Sequence, residues 1–188
     1  MRIVAGKHRS VALASLGKGD PGAHLRPTSD RVRESLFNVL AGYDVIDGAR
    51  VLDLFAGTGA LGLEALSRGA VYVAFVDDGR AAQRLIGQNI AKLRASDQTE
   101  IIRRDARRLP GRTGAPFDLV FLDPPYRKGF GTTALLTADR GGWLARGAFV
   151  VWEEASAMEV PAGFDLVDCR KYGDTYVNLM SKQSKTPI

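Results

Sequence analysis

A single cysteine, Cys169, among 188 residues excludes an intramolecular disulfide, and with only His8 and His24 beside it no recognisable zinc-ligand set can be assembled. A metal-based mechanism is therefore not expected, and Cys169 reads as a buried strand residue. No stretch approaches the roughly 20 apolar residues of a membrane span, and no charged segment followed by a long apolar one stands at the N-terminus. The expectation is a cytoplasmic protein. Internal repeats are absent, and low complexity is confined to the polar tail "SKQSKTP". What is present is enough apolar material, 45% of residues, for one sizeable core and not for two.

Charge is distributed unevenly. Residues 1–33 carry Arg2, Lys7, Arg9, Lys18, Arg26, Arg31 and Arg33 against Asp20 and Asp30, a net +5 that equals the net charge of the whole chain. A basic segment on a neutral body suits a polyanionic partner, RNA or DNA ahead of a membrane surface, since no amphipathic anchor accompanies it. A solvated arm is the alternative reading.

"RIVAGKHRSVAL" alternates weakly around Gly6, as a short hairpin or a strand with a bent turn does, and is followed by the loop "GKGDPGAH". "RPTSDRVRESLFNVLAG" opens with the helix-start residues Thr28, Ser29 and Asp30, repeats Val32, Leu36, Val39 and Leu40 at helical spacing and stops at Gly42. Arg31 and Arg33 near its N-terminal end oppose the helix dipole, which favours an anionic ligand there. From Arg50 onward, strands ("RVLDLFAG", "VYVAFVDD", "TEIIRRDA", "FDLVFLD", "AFVVWEE") alternate with helices ("ALGLEALSRG", "RAAQRLIGQNIAKLRA" and Thr132 to Asp139), the order of an open, mainly parallel α/β sheet. "FDLVDCRKYGDTYVNLM" ends the fold as an antiparallel hairpin turning at Gly173 and Asp174. The organisation expected is a basic extension over 1–25, a catalytic domain over 26–181 and a tail over 182–188.

In "LDLFAGTGALG", Gly57, Gly59 and Gly62 satisfy G-x-G-x-x-G between a strand and a helix, where backbone can approach a ligand. The motif alone suits a dinucleotide, or a glycine turn with no ligand. Asp53 shifts the balance, because a carboxylate at the strand end repels a pyrophosphate but suits the ammonium and sulfonium of S-adenosylmethionine. It can also tie the loop by accepting backbone hydrogen bonds. Asp77, about 20 residues on, is placed to take both ribose hydroxyls. Asp105 and the Ala106 N–H are candidates for the adenine, with helix capping as the alternative role of Asp105.

"LDPPY" is the second motif. The strand delivers Asp123 to the C-terminal sheet edge, Pro124 and Pro125 fix φ and remove two donors, and Tyr126 offers a ring for stacking. Carboxylate, free carbonyl and ring form a slot for a planar group bearing N–H donors, such as the exocyclic amino group of a flipped nucleobase. Hydrogen bonds from that amino group to Asp123 and the Pro124 carbonyl draw its nitrogen toward tetrahedral geometry and free its lone pair for a sulfonium methyl. An aspartate also matches the adjacent N1–H and N2 amino donors of guanine better than the acceptor–donor edge of adenine.

"DLFAGTGALGLEALSRGA" with "DPPY" resembles the class I S-adenosylmethionine-dependent methyltransferases of exocyclic amino groups. Together with "RIVAGKHRS", "LRPTSDRVRESLFNVL" and "YGDT", it resembles over almost its whole length the RsmD family, which methylates guanine N2 in bacterial 16S ribosomal RNA. The resemblance implies a seven-stranded Rossmann-like sheet with an N-terminal β-hairpin that assists RNA binding. It implies Asp123, Pro124, Pro125 and Tyr126 as the catalytic corner, and Asp53, Phe55, Ala56, Gly57, Thr58, Gly59 and Asp77 around S-adenosylmethionine, whose spent form is S-adenosylhomocysteine. Arg2, Lys7, Arg9, Arg26, Arg31 and Arg33 are the expected nucleic-acid contacts, and a monomer acting on 16S rRNA in the small ribosomal subunit is the expected assembly. Gly79 departs from the second acidic residue common in the family two positions after the ribose-binding one. The competing readings are a DNA amino-methyltransferase of the same fold, a nicotinamide-dependent oxidoreductase and a noncatalytic nucleic-acid-binding module. Arg103, Arg104, Arg107, Arg108 and Arg112 read equally as an RNA track or as a solvated surface with local ion pairs.

Overall fold

The computed structural model describes residues 1–15, 29–125, 129–156 and 158–184. Ser29 caps helix α1 (Asp30–Gly42), its hydroxyl accepting from the Val32 N–H at 3.3 Å and satisfying a donor that the first helical turn cannot pair internally. Leu36, Phe37 and Leu40 follow on the buried side, each stabilising the fold by about 1.5–3 kcal/mol through leaving water.

Among the described residues seven strands form one sheet: β1 (Arg50–Leu54), β2 (Tyr72–Val76), β3 (Thr99–Ile102), β4 (Phe117–Leu122), β5 (Leu144–Glu154), β6 (Phe164–Tyr172) and β7 (Thr175–Lys182). Their order is β3-β2-β1-β4-β5-β7-β6. The first five pair in parallel, whereas β7 inserts antiparallel between β5 and β6. Strand order reverses between β1 and β4, and such a switch point opens a crevice at the strands' C-terminal ends.

Helices α2 (Ala60–Ser67), α3 (Arg80–Leu93) and α4 (Phe130–Arg140) complete the layers. Alternation along β1 divides the core: Val51 packs with residues of α1, α2 and α3, while Leu52 and Leu54 pack with Ala134, Leu135 and Ala138 of α4. Asp53 has the parity of Val51 and so lies on the α1–α3 side. Asp123, two residues after Phe121, continues the same side from β4. Cys169, expected to be buried, is exposed, because β6 is the outer strand of the sheet.

Residues 1–15 fold back as two short arms around a turn. Ile3 N–H donates to Val11 O at 3.0 Å, Ser10 N–H to Ile3 O at 2.9 Å and Leu13 N–H to Met1 O at 3.1 Å. Ile3 and Leu13 are buried in the same core cluster as Phe37 and Leu66. Gly6 (φ +80°) lies so close to α2 that a Cβ would stand 1.8 Å from the Ser67 carbonyl oxygen, so no other residue fits without undocking the turn.

Candidate active site

Beyond β1 the chain turns through Phe55, Gly57 and Gly59 at φ +60°, +57° and +76°. A left-handed conformation at phenylalanine costs about 1–2 kcal/mol and is held by surrounding bonds. Ala56 N–H donates to Val76 O at 3.1 Å, Gly59 N–H to Ala56 O at 2.7 Å and Gly57 N–H to the Asp77 carboxylate at 2.9 Å. Gly62 then admits α2 against the sheet, since a Cβ there would lie 2.5 Å from the Phe75 ring and 3.0 Å from Asp53 Oδ2.

Asp77 is clamped by two backbone donors, Gly57 N–H and Gly79 N–H, each at 2.9 Å. Burial raises its carboxyl above the usual range, and these two bonds oppose the rise. The glycine at position 79 thus contributes its N–H where the family often has an acid. Phe55, Asp77, Asp105, Ala106, Pro125 and Phe130 line a cleft of about 100 Å³ together with Val76, Asp78 and Arg107. Five of the residues expected from sequence, from four separate loops, therefore meet in one place. Asp105 caps the short 3₁₀ helix Ala106–Arg108 and forms a bidentate pair with Arg107 at 2.6 and 2.9 Å. The Arg107 hydrogen bond holds the Asp105 carboxyl below its ordinary range. Capping and pocket lining are thus roles of the same side chain, and the Arg107 guanidinium also stacks 3.9 Å from the Phe130 ring centre.

Asp53 does not line this cleft. It is 2% exposed and accepts from Gly62 N–H at 2.9 Å, so it does tie the loop. Burial pushes its carboxyl up to about 8, and the charges of Asp77 and Glu153 add to the rise. Asp123 follows the β1–β4 pairing with an N–H to Leu54 O contact of 3.4 Å, and Pro124 and Pro125 end that pairing because they lack N–H groups. Pro124 is buried, Pro125 is exposed beside the cleft, and Asp123 is half-buried. Burial raises the Asp123 carboxyl well above its usual range, followed in size by repulsion from Glu153, Asp53 and Glu154. Three low-dielectric carboxylates on one side of the sheet repel one another and attract a cation. Among the described residues no group of three or more His, Cys, Asp or Glu is placed to hold a metal ion.

The model of the family described as Conserved hypothetical protein 95 matches residues 1–181. The chain belongs to this family, the RsmD family. It is 37% identical over 188 residues to ribosomal RNA small subunit methyltransferase D of Escherichia coli K12, covering 98% of this chain and 91% of that protein. YlbH of Bacillus subtilis is 36% identical, with 97% and 100% covered. The solved structure of Escherichia coli yhhF superposes with a TM-score of 0.85 at 35% identity, covering 98% of this chain and 99% of that one. Seven strands with a parallel core and two antiparallel C-terminal strands are the class I methyltransferase fold.

The basic residues of this RsmD-family chain divide. Arg2, Lys7, Arg9 and Arg31 are exposed. Arg33 is 0% exposed and is not a nucleic-acid contact: it pairs with Asp30 at 2.8 Å and Glu64 at 3.5 Å and donates to the Arg2 carbonyl. Buried Glu64 also accepts from Val4 N–H at 2.8 Å, Ala5 N–H at 3.0 Å and Arg68 at 2.8 Å, so this network fastens the N-terminal arm to α1 and α2. Of the arginine cluster, Arg103, Arg104 and Arg108 are exposed, whereas Arg112 pairs with Glu100 at 3.0 Å and stacks on Phe117 and Trp143. His24, Arg26, Thr28 and Tyr126 lie outside the described residues. Two participants escaped the sequence reading, Glu153 and Phe130, while Arg107, read there as part of the arginine cluster, pairs locally with Asp105. Glu153 follows Val151 by two positions at the end of a strand, and that parity was the available signal for an inward carboxylate.

Proposed function

We propose that the chain transfers a methyl group from S-adenosylmethionine to the exocyclic N2 of a guanine in 16S ribosomal RNA. The observation that carries this reading is the Asp123–Pro125 corner, which stands beside the glycine loop at the sheet's switch point with a half-buried carboxylate repelled by its acidic neighbours. Family membership and the similarity to ribosomal RNA small subunit methyltransferase D support RNA as substrate.

The residues present suit the proposed donor. Asp77 at the base of the cleft retains acceptor capacity for ribose hydroxyls after its two backbone bonds, and Phe55, Ala106, Pro125 and Phe130 supply apolar walls for a flat ring. Asp53, Asp123 and Glu153 make the neighbourhood favourable for positive charge. S-adenosylmethionine supplies there an electrophilic methyl on a cationic sulfur.

Asp123 accepts hydrogen bonds from N1–H and the amino group of the target guanine, and the Pro124 carbonyl takes the second amino proton. These bonds orient the lone pair. As the N–C bond forms and the S–C bond breaks, the amino nitrogen loses one proton. Asp123 is suited to receive it, since burial and the neighbouring carboxylates raise its proton affinity. Exposed Arg2, Lys7, Arg9 and Arg31 pair with RNA phosphates, making binding salt-dependent. The small subunit, whole or partly assembled, is the proposed form of the substrate, and the enzyme acts as a monomer. No helix among the described residues is long and apolar enough to cross a membrane.

Transfer of tritiated methyl to small subunits lacking native methylation, to protein-free 16S RNA and to duplex DNA tests this assignment. Label in RNA or subunits supports it; label only in DNA replaces it with the DNA amino-methyltransferase reading.

A further inference from the structure

Asn89 stands on the apolar face of α3 among Leu85, Ile86, Ile90 and Leu93 and is 0% exposed. A primary amide in such surroundings is costly unless its donors and acceptor are paired. Here all three are engaged, on two different segments. Nδ2 donates to Thr58 O at 2.9 Å and to Ala14 O at 3.2 Å, while Oδ1 accepts from Ala14 N–H at 2.7 Å. Thr58 sits in the glycine loop between the left-handed Gly57 and Gly59, and Ala14 lies at the end of the N-terminal arm.

Two further contacts join the same parts. Met1 Sδ lies 3.9 Å from Thr58 Oγ1, and Lys92 Nζ, about one turn along α3, donates to Ala12 O at 3.3 Å. One rigid buried amide can satisfy Thr58 and Ala14 together only while loop and arm keep their relative position. Ordering either segment therefore lowers the entropic cost of ordering the other, and such a coupling is reciprocal.

We propose that Asn89 is a positioning residue that couples the cofactor loop to the RNA-facing arm, so that a methyl donor in the loop tightens the arm and RNA on the arm tightens donor binding. The inference rests on the methyl-donor reading given above. It goes beyond it by making donor and RNA binding mutually reinforcing through one side chain that touches neither.

Hydrogen exchange of residues 11–15, read with and without saturating S-adenosylhomocysteine, tests the coupling. In the wild type the product should slow exchange of the Ala14 amide about three- to tenfold. Asn89→Asp keeps the shape and the acceptor for Ala14 N–H but lacks the donor for Thr58 O, and should lose this ligand-dependent slowing. A purely structural Asn89 would lower the melting temperature of the variant and leave the slowing intact, which would overturn the proposal. Ala14→Pro supplies a second route if the first variant folds poorly: it removes the arm's N–H from a half-buried position, and S-adenosylhomocysteine affinity should fall about three- to tenfold. Unchanged affinity there, or wild-type exchange indifferent to bound product, counts against the coupling alone. If the wild type does not bind S-adenosylhomocysteine, the methyl-donor reading fails and the inference falls with it.

Discussion

Replacing Asp53 by Asn should make the protein more stable at alkaline pH while removing its hold on the donor. The Asn amide oxygen can still accept the Gly62 N–H that Asp53 Oδ2 accepts at 2.9 Å, so loop geometry is retained and only the ionisable group is lost. In the unfolded chain the Asp53 carboxyl ionises near 3.8; in the fold it ionises at about 8. Between those values the folded state holds a proton that the unfolded state has released. The associated stability is complete below 3.8 and falls as pH rises toward 8. Each pH unit in that window corresponds to about 1.4 kcal/mol, so between pH 5 and pH 8 the wild type loses on the order of 4 kcal/mol relative to Asp53→Asn. For a chain of this size that is roughly a 10 °C change in the difference between the two melting temperatures. Thermal or urea unfolding of both proteins at pH 5, 6, 7 and 8 reads the difference directly. A difference that stays constant with pH would refute the claim that Asp53 is an uncompensated buried acid. Calorimetric titration at pH 8 should meanwhile show donor binding weakened at least tenfold, because the neutral amide offers no charge to the sulfonium and ammonium.

Donor binding to the wild type should release a proton below pH 8, since a cation beside Asp53 favours its ionised form; calorimetry in two buffers of different ionisation heat measures the release, and affinity should rise with pH by up to about tenfold per unit. Gly62→Ala should cost about 1–3 kcal/mol in urea unfolding, as its Cβ would meet the Phe75 ring at 2.5 Å. Arg33→Ala leaves buried Glu64 without one cation and should cost about 3–5 kcal/mol, whereas Arg31→Ala, on the exposed side of α1, should leave stability nearly unchanged and reduce the salt dependence of RNA binding.

How much of this was legible in the sequence varied with the range of the interactions. Strands β1, β2 and β4 are near-continuous apolar runs because helices cover both faces of a parallel sheet, and such runs announce themselves locally. Ser29 opens α1 through local capping chemistry, whereas Gly42 is its last helical residue and the left-handed residue beyond the end is Asp44; the glycine loop follows from strand-to-helix turn geometry. The insertion of β7 between β5 and β6 was not legible, because it depends on pairing between distant segments, and so the exposure of Cys169 on the outer strand was missed. Arg33 was misread as an RNA contact on the basis of charge. Its spacing to Phe37 and Leu40, four and seven residues on, already placed it on the buried side of α1. Its partner Glu64 lies 31 residues away, on another helix, and no local pattern points to it. At the site, Asp53, Asp77, Asp105 and Asp123 were legible as strand-end residues, and Glu153 was passed over. The mutual repulsion of Asp53, Asp123 and Glu153 was not legible, because it arises only when β1, β4 and β5 stand side by side.

The central claim, that Asp123 presents a guanine amino group to a methyl donor, is tested most directly by the identity of the product. Unmethylated small subunits should be incubated with donor carrying a trideuterated methyl, using wild type and Asp123→Ala, and the RNA digested for nucleoside mass spectrometry. The account expects label on N2-methylguanosine with the wild type and a loss of at least a hundredfold in rate with the variant. Label on another nucleoside, or an Asp123→Ala enzyme that methylates at the wild-type rate, would contradict it.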